Sequence, residues 1–239
     1  MSWRAAFDAV ASRLRAHPRV EVLGYFVFDP VSDEEVDAVH EALGYALAPS
    51  LLSLFREANG LQLRWVLRDD PVVLSQPDRF APMSAPSRSF FEDHQSGAIY
   101  IASLTETFLT DWEGVLWFED WMTDDEREPF VGREWGLRSS RQRLRPVDGF
   151  AAEADMAFFL DGSADPPLLL GDEDRRYRRS RITDFASYLA FLVAHHGLTA
   201  ARQRVYEHAD GHALPRLTTP AAYWGQHGPR SLDVLLEDT

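Results

Sequence analysis

The sequence has no cysteine, so disulfides and thiolate metal sites are excluded and nothing speaks for an oxidising compartment. It has no lysine either: all 24 basic side chains are arginine. No fold demands that choice, since exposed lysine serves as well at most surface positions, and it reads as the coding bias of a GC-rich bacterial genome. No apolar run approaches the length of a membrane span, and Met-Ser-Trp-Arg opens neither a basic n-region nor an apolar h-region. The expectation is a cytoplasmic protein. A Gly-rich phosphate loop, a nucleophile elbow and a Ser/His/Asp ordering are also missing, so no catalytic residue and no cofactor is expected.

Positive charge is in deficit. A net charge of -14 argues against nucleic acid and anionic lipid as ligands, because a phosphate-binding surface needs concentrated positive charge. A basic protein is the partner that such a field attracts. What is present in quantity is apolar: 45% of the 239 residues are hydrophobic and 12% aromatic, enough for one substantial core.

Hydrophobic spacing organises that core. Trp3, Phe7, Val10 and Leu14 mark an amphipathic helix, and Val20 to Phe28 reads as a strand between Pro18 and Pro30. Ser32 and Glu35 form the two halves of a capping box ahead of Val36, Val39 and Leu43, with Gly44 as the stop. Pro49 suits the first turn of the next helix, on which Leu51, Leu54, Phe55 and Ala58 share a face before Asn59-Gly60 ends it. Leu61 to Leu67 then alternates as a half-buried strand.

Beyond this the pattern is sparser. Residues 69–96 read as a long surface loop with a short strand near Val72 to Leu74, and Ala98–Ala102 and Gly114–Phe118 as strands around a helical turn. Residues 119–146 are charge-rich and poor in pattern. Met156–Leu160 and Leu168–Leu170 are short apolar runs consistent with buried strands. A helix follows Thr183, with Phe185, Tyr188, Leu189 and Leu192 on one face and Gly197 as its stop, and a second helix spans Thr199 to Tyr206.

The stretch Glu35 to Gly60 carries a resemblance. Leu43-Gly44 closing one helix, Leu47 and Pro49 opening the next, then Phe55 and the terminal Asn59-Gly60 resemble the signature of the SUKH superfamily (the Smi/Knr-like fold). Ala48 departs from it, standing between a leucine and a proline that are usually adjacent. Looser similarity continues through Asp155–Asp172 and in Phe185-Ala186-Ser187-Tyr188-Leu189, which resembles the closing Phe-x-x-Tyr-Leu helix of the family.

The resemblance implies an α+β domain with a central, mostly antiparallel sheet and helices packed against it. On that reading residues 1–30 are an N-terminal helix and strand extension, residues 31–206 the SUKH-like domain and residues 207–239 a tail packed on it. It also implies a non-catalytic protein-binding module. Many bacterial members resemble immunity proteins that neutralise a cognate toxin, often a nuclease, by direct binding. The alternative is an intracellular adaptor or regulatory protein of the same fold with no toxin partner.

The strongest functional segment runs from Glu106 to Glu128. Nine carboxylates stand there against Arg127 alone, interleaved with Trp112, Trp117, Phe118 and Trp121. Aromatics supply anchoring area while charge steers a basic partner, so the expected partner-binding residues are Asp111, Trp112, Glu119, Asp120, Trp121, Asp124, Asp125 and Glu126. The competing reading makes the aromatics core residues and the acids a solvated rim. Paired carboxylates acting as acid and base need a working separation that nothing in the spacing fixes.

His208 and His212 have the i, i+4 spacing of zinc sites, but no Glu follows His208 and Gly211 lies between them. With His195 and His196 they read as helix-end and surface histidines, and no metal is expected. The arginine clusters at 175–181 and 133–145 are expected to pair with acids of the chain or of a partner rather than with nucleic acid.

Overall fold

A computed structural model describes residues 2–68, 97–112, 143–151, 154–171 and 177–202. Its centre is one seven-stranded sheet in which every strand is antiparallel to its sequence neighbours, in the order β1-β2-β3-β4-β5-β6-β7. The strands are β1 (Val20–Val27), β2 (Leu61–Leu67), β3 (Gly97–Ile101), β4 (Leu144–Ala151), β5 (Ala154–Phe159), β6 (Leu168–Gly171) and β7 (Tyr177–Arg179). With them come α1 (Trp3–Ala16), α2 (Asp33–Leu43), α3 (Pro49–Phe55), α4 (Leu104–Leu109), α5 (Phe185–Ala194) and α6 (Thr199–Arg202). The fold is α+β, the class expected.

The helix between Ser32 and Gly44 forms for the expected reasons. Ser32 Oγ accepts from the Glu35 amide while the Glu35 carboxylate accepts from the Ser32 amide, and Gly44 closes α2 in the left-handed region at φ 75°. Val36, Val39, Leu51, Leu54, Phe55, Leu63, Trp65, Phe185, Tyr188 and Leu189 are buried in one core, and Leu43 is half-buried against the same cluster. A chain of rings ties the layers together. Phe55 of α3 stacks on Phe185 of α5 at 5.7 Å, Phe185 meets Phe158 of β5 at 5.2 Å, and Phe158 stacks on Phe108 of α4 at 5.4 Å.

The N-terminal helix and strand enter this same framework. β1 pairs with β2 along its length, and Phe7, Val10, Ala11 and Leu14 of α1 join the central core. Two strands arise where the sequence is poor in pattern. β4 contains Pro146, Asp148 and Gly149, and its register with β5 slips on either side of Asp148. β7 lies inside the arginine run and pairs with β6.

His195 and His196 are a correction to the surface reading: both are buried, at 6% and 8% exposure. His195 caps α5, and His196 at φ 54° turns its carbonyl to accept the Trp65 indole N–H at 2.7 Å. No helix among the described residues is long and apolar enough to cross a membrane. The loop at 69–96, the strand at 114–118 and the tail at 207–239 lie outside the described residues.

Candidate partner-binding cleft

Helices occupy one face of β1–β3, where Leu61, Leu63 and Trp65 lie with Ile99 and Ile101 in the core. The register sets the opposite face: Phe26 stands across from Gln62, and Gln62 across from Tyr100. Directly opposed residues of antiparallel strands share a face, so these three make one row pointing away from the helices. Phe26 is 53% exposed and Phe28, just past the strand, 46%. Gly24 makes room for the first ring, since a Cβ there would meet the Phe26 ring at 3.1 Å.

At the end of this row lies a cleft of about 290 Å³, lined by Phe28, Asp29, Asn59, Gln62, Tyr100, Ile101, Ala102, Ser103 and Glu106. None of these is basic. Its floor is fixed by the Asn59-Gly60 turn. The Asn59 amide donates to the Asp29 carbonyl at 3.0 Å, its Oδ1 accepts from the Leu104 amide at 2.8 Å, and the Phe28 amide donates to the Gly60 carbonyl at 3.2 Å. Gly60 is required here: φ is 103°, and a Cβ would lie 2.7 Å from the Ile101 carbonyl oxygen.

On the far wall Ser103 caps α4 by accepting from the Glu106 amide at 3.1 Å, which sets Glu106 beside β3. The Tyr100 hydroxyl donates to Glu106 Oε1 across a long 3.5 Å. Burial first, then the Glu106 charge and this hydrogen bond, pushes the Tyr100 phenol up to about 12. The ring therefore stays a neutral donor beside a carboxylate.

Behind Tyr100 sits a polar cluster that sequence reasoning missed. Asp148 Oδ1 accepts the Tyr100 backbone amide at 2.7 Å, a bond that a strand carbonyl would otherwise receive. Its Oδ2 accepts from the Tyr188 hydroxyl at 2.6 Å and from Arg202 Nη2 at 2.7 Å. Arg202 also donates to the Tyr188 hydroxyl and to the carbonyls of Gly197 and Ala98, and its guanidinium lies 4.3 Å over the Phe150 ring. Both side chains of the ion pair are buried, at 1% and 0% exposure. Burial, the leading cause, and the Asp148 charge hold the Tyr188 phenol well above the tyrosine range. Sealed from solvent and rich in partners, the cluster is a brace joining β3, β4, α5 and α6, and it fixes Tyr100 from behind.

Of the residues expected to bind a partner, two fall within the described parts. Asp111 is exposed, and its charge acts on Arg145. Trp112 is half-buried: its indole donates to the Thr107 carbonyl at 2.9 Å, and the ring packs against the cluster of Leu144, Ala157, Phe159, Leu169 and Tyr177. Glu119, Asp120, Trp121, Asp124, Asp125 and Glu126 lie outside the described residues. Glu106, the first acid of the expected segment, lines the cleft.

Among the described residues no group of three or more His, Asp or Glu side chains could hold a metal ion. The signal for the cleft that sequence patterning left unused is the outward position of Phe26 and Tyr100 in strands whose inward residues carry the core, with Phe28 just past the first of them. Compared with known family models and with curated proteins, the chain matches none.

Proposed function

We propose that this chain is a non-catalytic protein-binding module that neutralises a cognate, basic protein toxin by direct binding in the cytoplasm of the producing cell. The observation that carries this reading is the outer face of β1–β3. Phe26 and Phe28 are exposed rings, and Phe28 shares with Asp29, Tyr100 and Glu106 a cleft that no cationic side chain among the described residues lines. Exposed aromatic side chains held on a rigid sheet are what anchoring residues of interfaces look like, and their acidic surroundings select a basic partner. The net charge of -14 extends the same preference over the whole molecule. The resemblance of Glu35 to Gly60 to the SUKH signature supports an immunity role.

Co-expression with the protein encoded beside its gene is the test. Rescue of host growth, with a complex that survives size-exclusion chromatography, is the expected result. A neighbouring protein that is harmless and forms no complex would overturn the toxin reading in favour of a regulatory adaptor.

A further inference from the structure

We infer that the cleft between β1, β3 and α4 receives an arginine side chain of the partner, its guanidinium laid on Phe28 and Tyr100 and bonded to Glu106. This rests on the reading of the chain as a protein-binding module and names the chemistry which that module recognises.

The chain itself holds guanidinium groups this way. Arg202 lies 4.3 Å over Phe150 while bonding the Tyr188 hydroxyl and Asp148. Arg15 lies 5.6 Å over the Tyr25 ring, and the Tyr25 hydroxyl donates to Asp8 at 2.8 Å. In both cases a tyrosine bonded to a carboxylate presents its hydroxyl or its ring to an arginine.

Tyr100 and Glu106 make another tyrosine–carboxylate pair, as do Tyr177 and Asp155, and among the described residues no arginine of the chain is set against the Tyr100 pair. Phe28 stands in the same cleft, a ring beside the pair as Phe150 is the ring under the Arg202 that bonds Tyr188. Its 46% exposure leaves ring area for a cation, and Asp29 adds a second negative charge to the lining.

Arginine fits better than lysine on two counts. A planar guanidinium stacks on a ring while its fork bonds a carboxylate, whereas a compact ammonium cannot do both at full strength. The cleft of about 290 Å³ lies at the foot of the range of drug-sized ligand sites, roughly 300–1,000 Å³, and suits one side chain.

The test is an amide-resolved NMR titration of the full chain with capped Gly-Arg-Gly, against the same peptide carrying citrulline or lysine. Saturable shifts confined to residues 28–29, 59–62 and 100–106 are expected with arginine at millimolar peptide, with no saturation for citrulline. Phe28→Ala and Glu106→Gln, both surface changes whose folding is checked by circular dichroism, should each weaken binding by about fivefold or more. Equal binding of the citrulline or lysine peptide, shifts centred elsewhere, or no saturation would overturn the inference.

The same variants enter the growth-rescue experiment, which separates the two readings. Rescue undiminished by Phe28→Ala with Glu106→Gln overturns the cleft assignment and leaves the neutralising role standing. Arginine-specific shifts without rescue do the reverse.

Discussion

Gly97 sits where a Cβ would lie 2.1 Å from the Trp65 indole nitrogen, the same nitrogen that donates to the His196 carbonyl. Gly97→Ala must displace a buried ring or break its hydrogen bond, so it should destabilise the fold by roughly 1–3 kcal/mol or more in urea unfolding. Gly162→Ala is the control. At φ 89° with nothing within 4 Å of its Cβ, it should cost only the left-handed backbone penalty, about 1 kcal/mol.

The Asp148–Arg202 pair obeys a different rule, because a buried charge without its partner is costly while a joint replacement is not. Arg202→Met alone should cost about 3–5 kcal/mol, and adding Asp148→Leu should recover part of the loss. If the double variant is instead as unstable as the sum of the singles, the cluster acts through something other than charge pairing. Tyr100 offers a titration at the same scale. Its raised phenol favours the neutral form, so this contribution is complete below the ordinary tyrosine range and is lost as pH rises through about 12. Glu106→Gln should lower the phenolate midpoint seen by ultraviolet absorbance, without returning it to the ordinary value, because burial is the leading cause.

Among the elements, α2 depends most visibly on local chemistry. Ser32→Ala removes the side-chain half of the capping box and should cost about 1 kcal/mol. The hydrogen bonds from the Ser32 backbone and hydroxyl hold the Glu35 carboxyl below the ordinary glutamate value. Its contribution is therefore present above that value and fades as pH falls through the folded one. Stability of the Ser32→Ala variant should depend less on pH in that acid window; an unchanged slope would show that the box does not couple to folding. β4 stands at the other extreme. Pro146 and Gly149 are poor strand residues, and the strand persists because Asp148 is held by groups from α5, α6 and β3.

For the whole molecule, a net charge of -14 makes encounter with a basic partner faster at low salt. Steering charge and aromatic anchor should separate kinetically. Neutralising Asp120, Asp124 and Asp125 should lower the association rate most at low ionic strength, with the effect shrinking as the Debye length falls to about 8 Å at physiological salt. Phe28→Ala should act on the dissociation rate instead, as an anchor that a partner covers does. Surface plasmon resonance across a salt series would distinguish them. Equal and salt-independent association for the triple variant would place steering elsewhere on the surface.

Sequence alone determined the elements whose signals are local. The Ser32/Glu35 box, Pro49 and Asn59-Gly60 act within a turn of themselves, and apolar spacing reports burial of Val36, Leu54, Phe185 and Tyr188 directly, so α2, α3, β2 and α5 were legible. The acidic and aromatic character of the chain was legible too, since composition carries it. Only the tertiary structure decided what depends on distant residues meeting. β4 was hidden because its strand is enforced by Arg202, 54 positions from Asp148. His195 and His196 looked like surface groups because no periodicity marks a helix end that folds back under Trp65. The cleft could not be read at all: Phe28, Asn59, Tyr100 and Glu106 come from four segments, and only the β1–β2–β3 register brings them to one place.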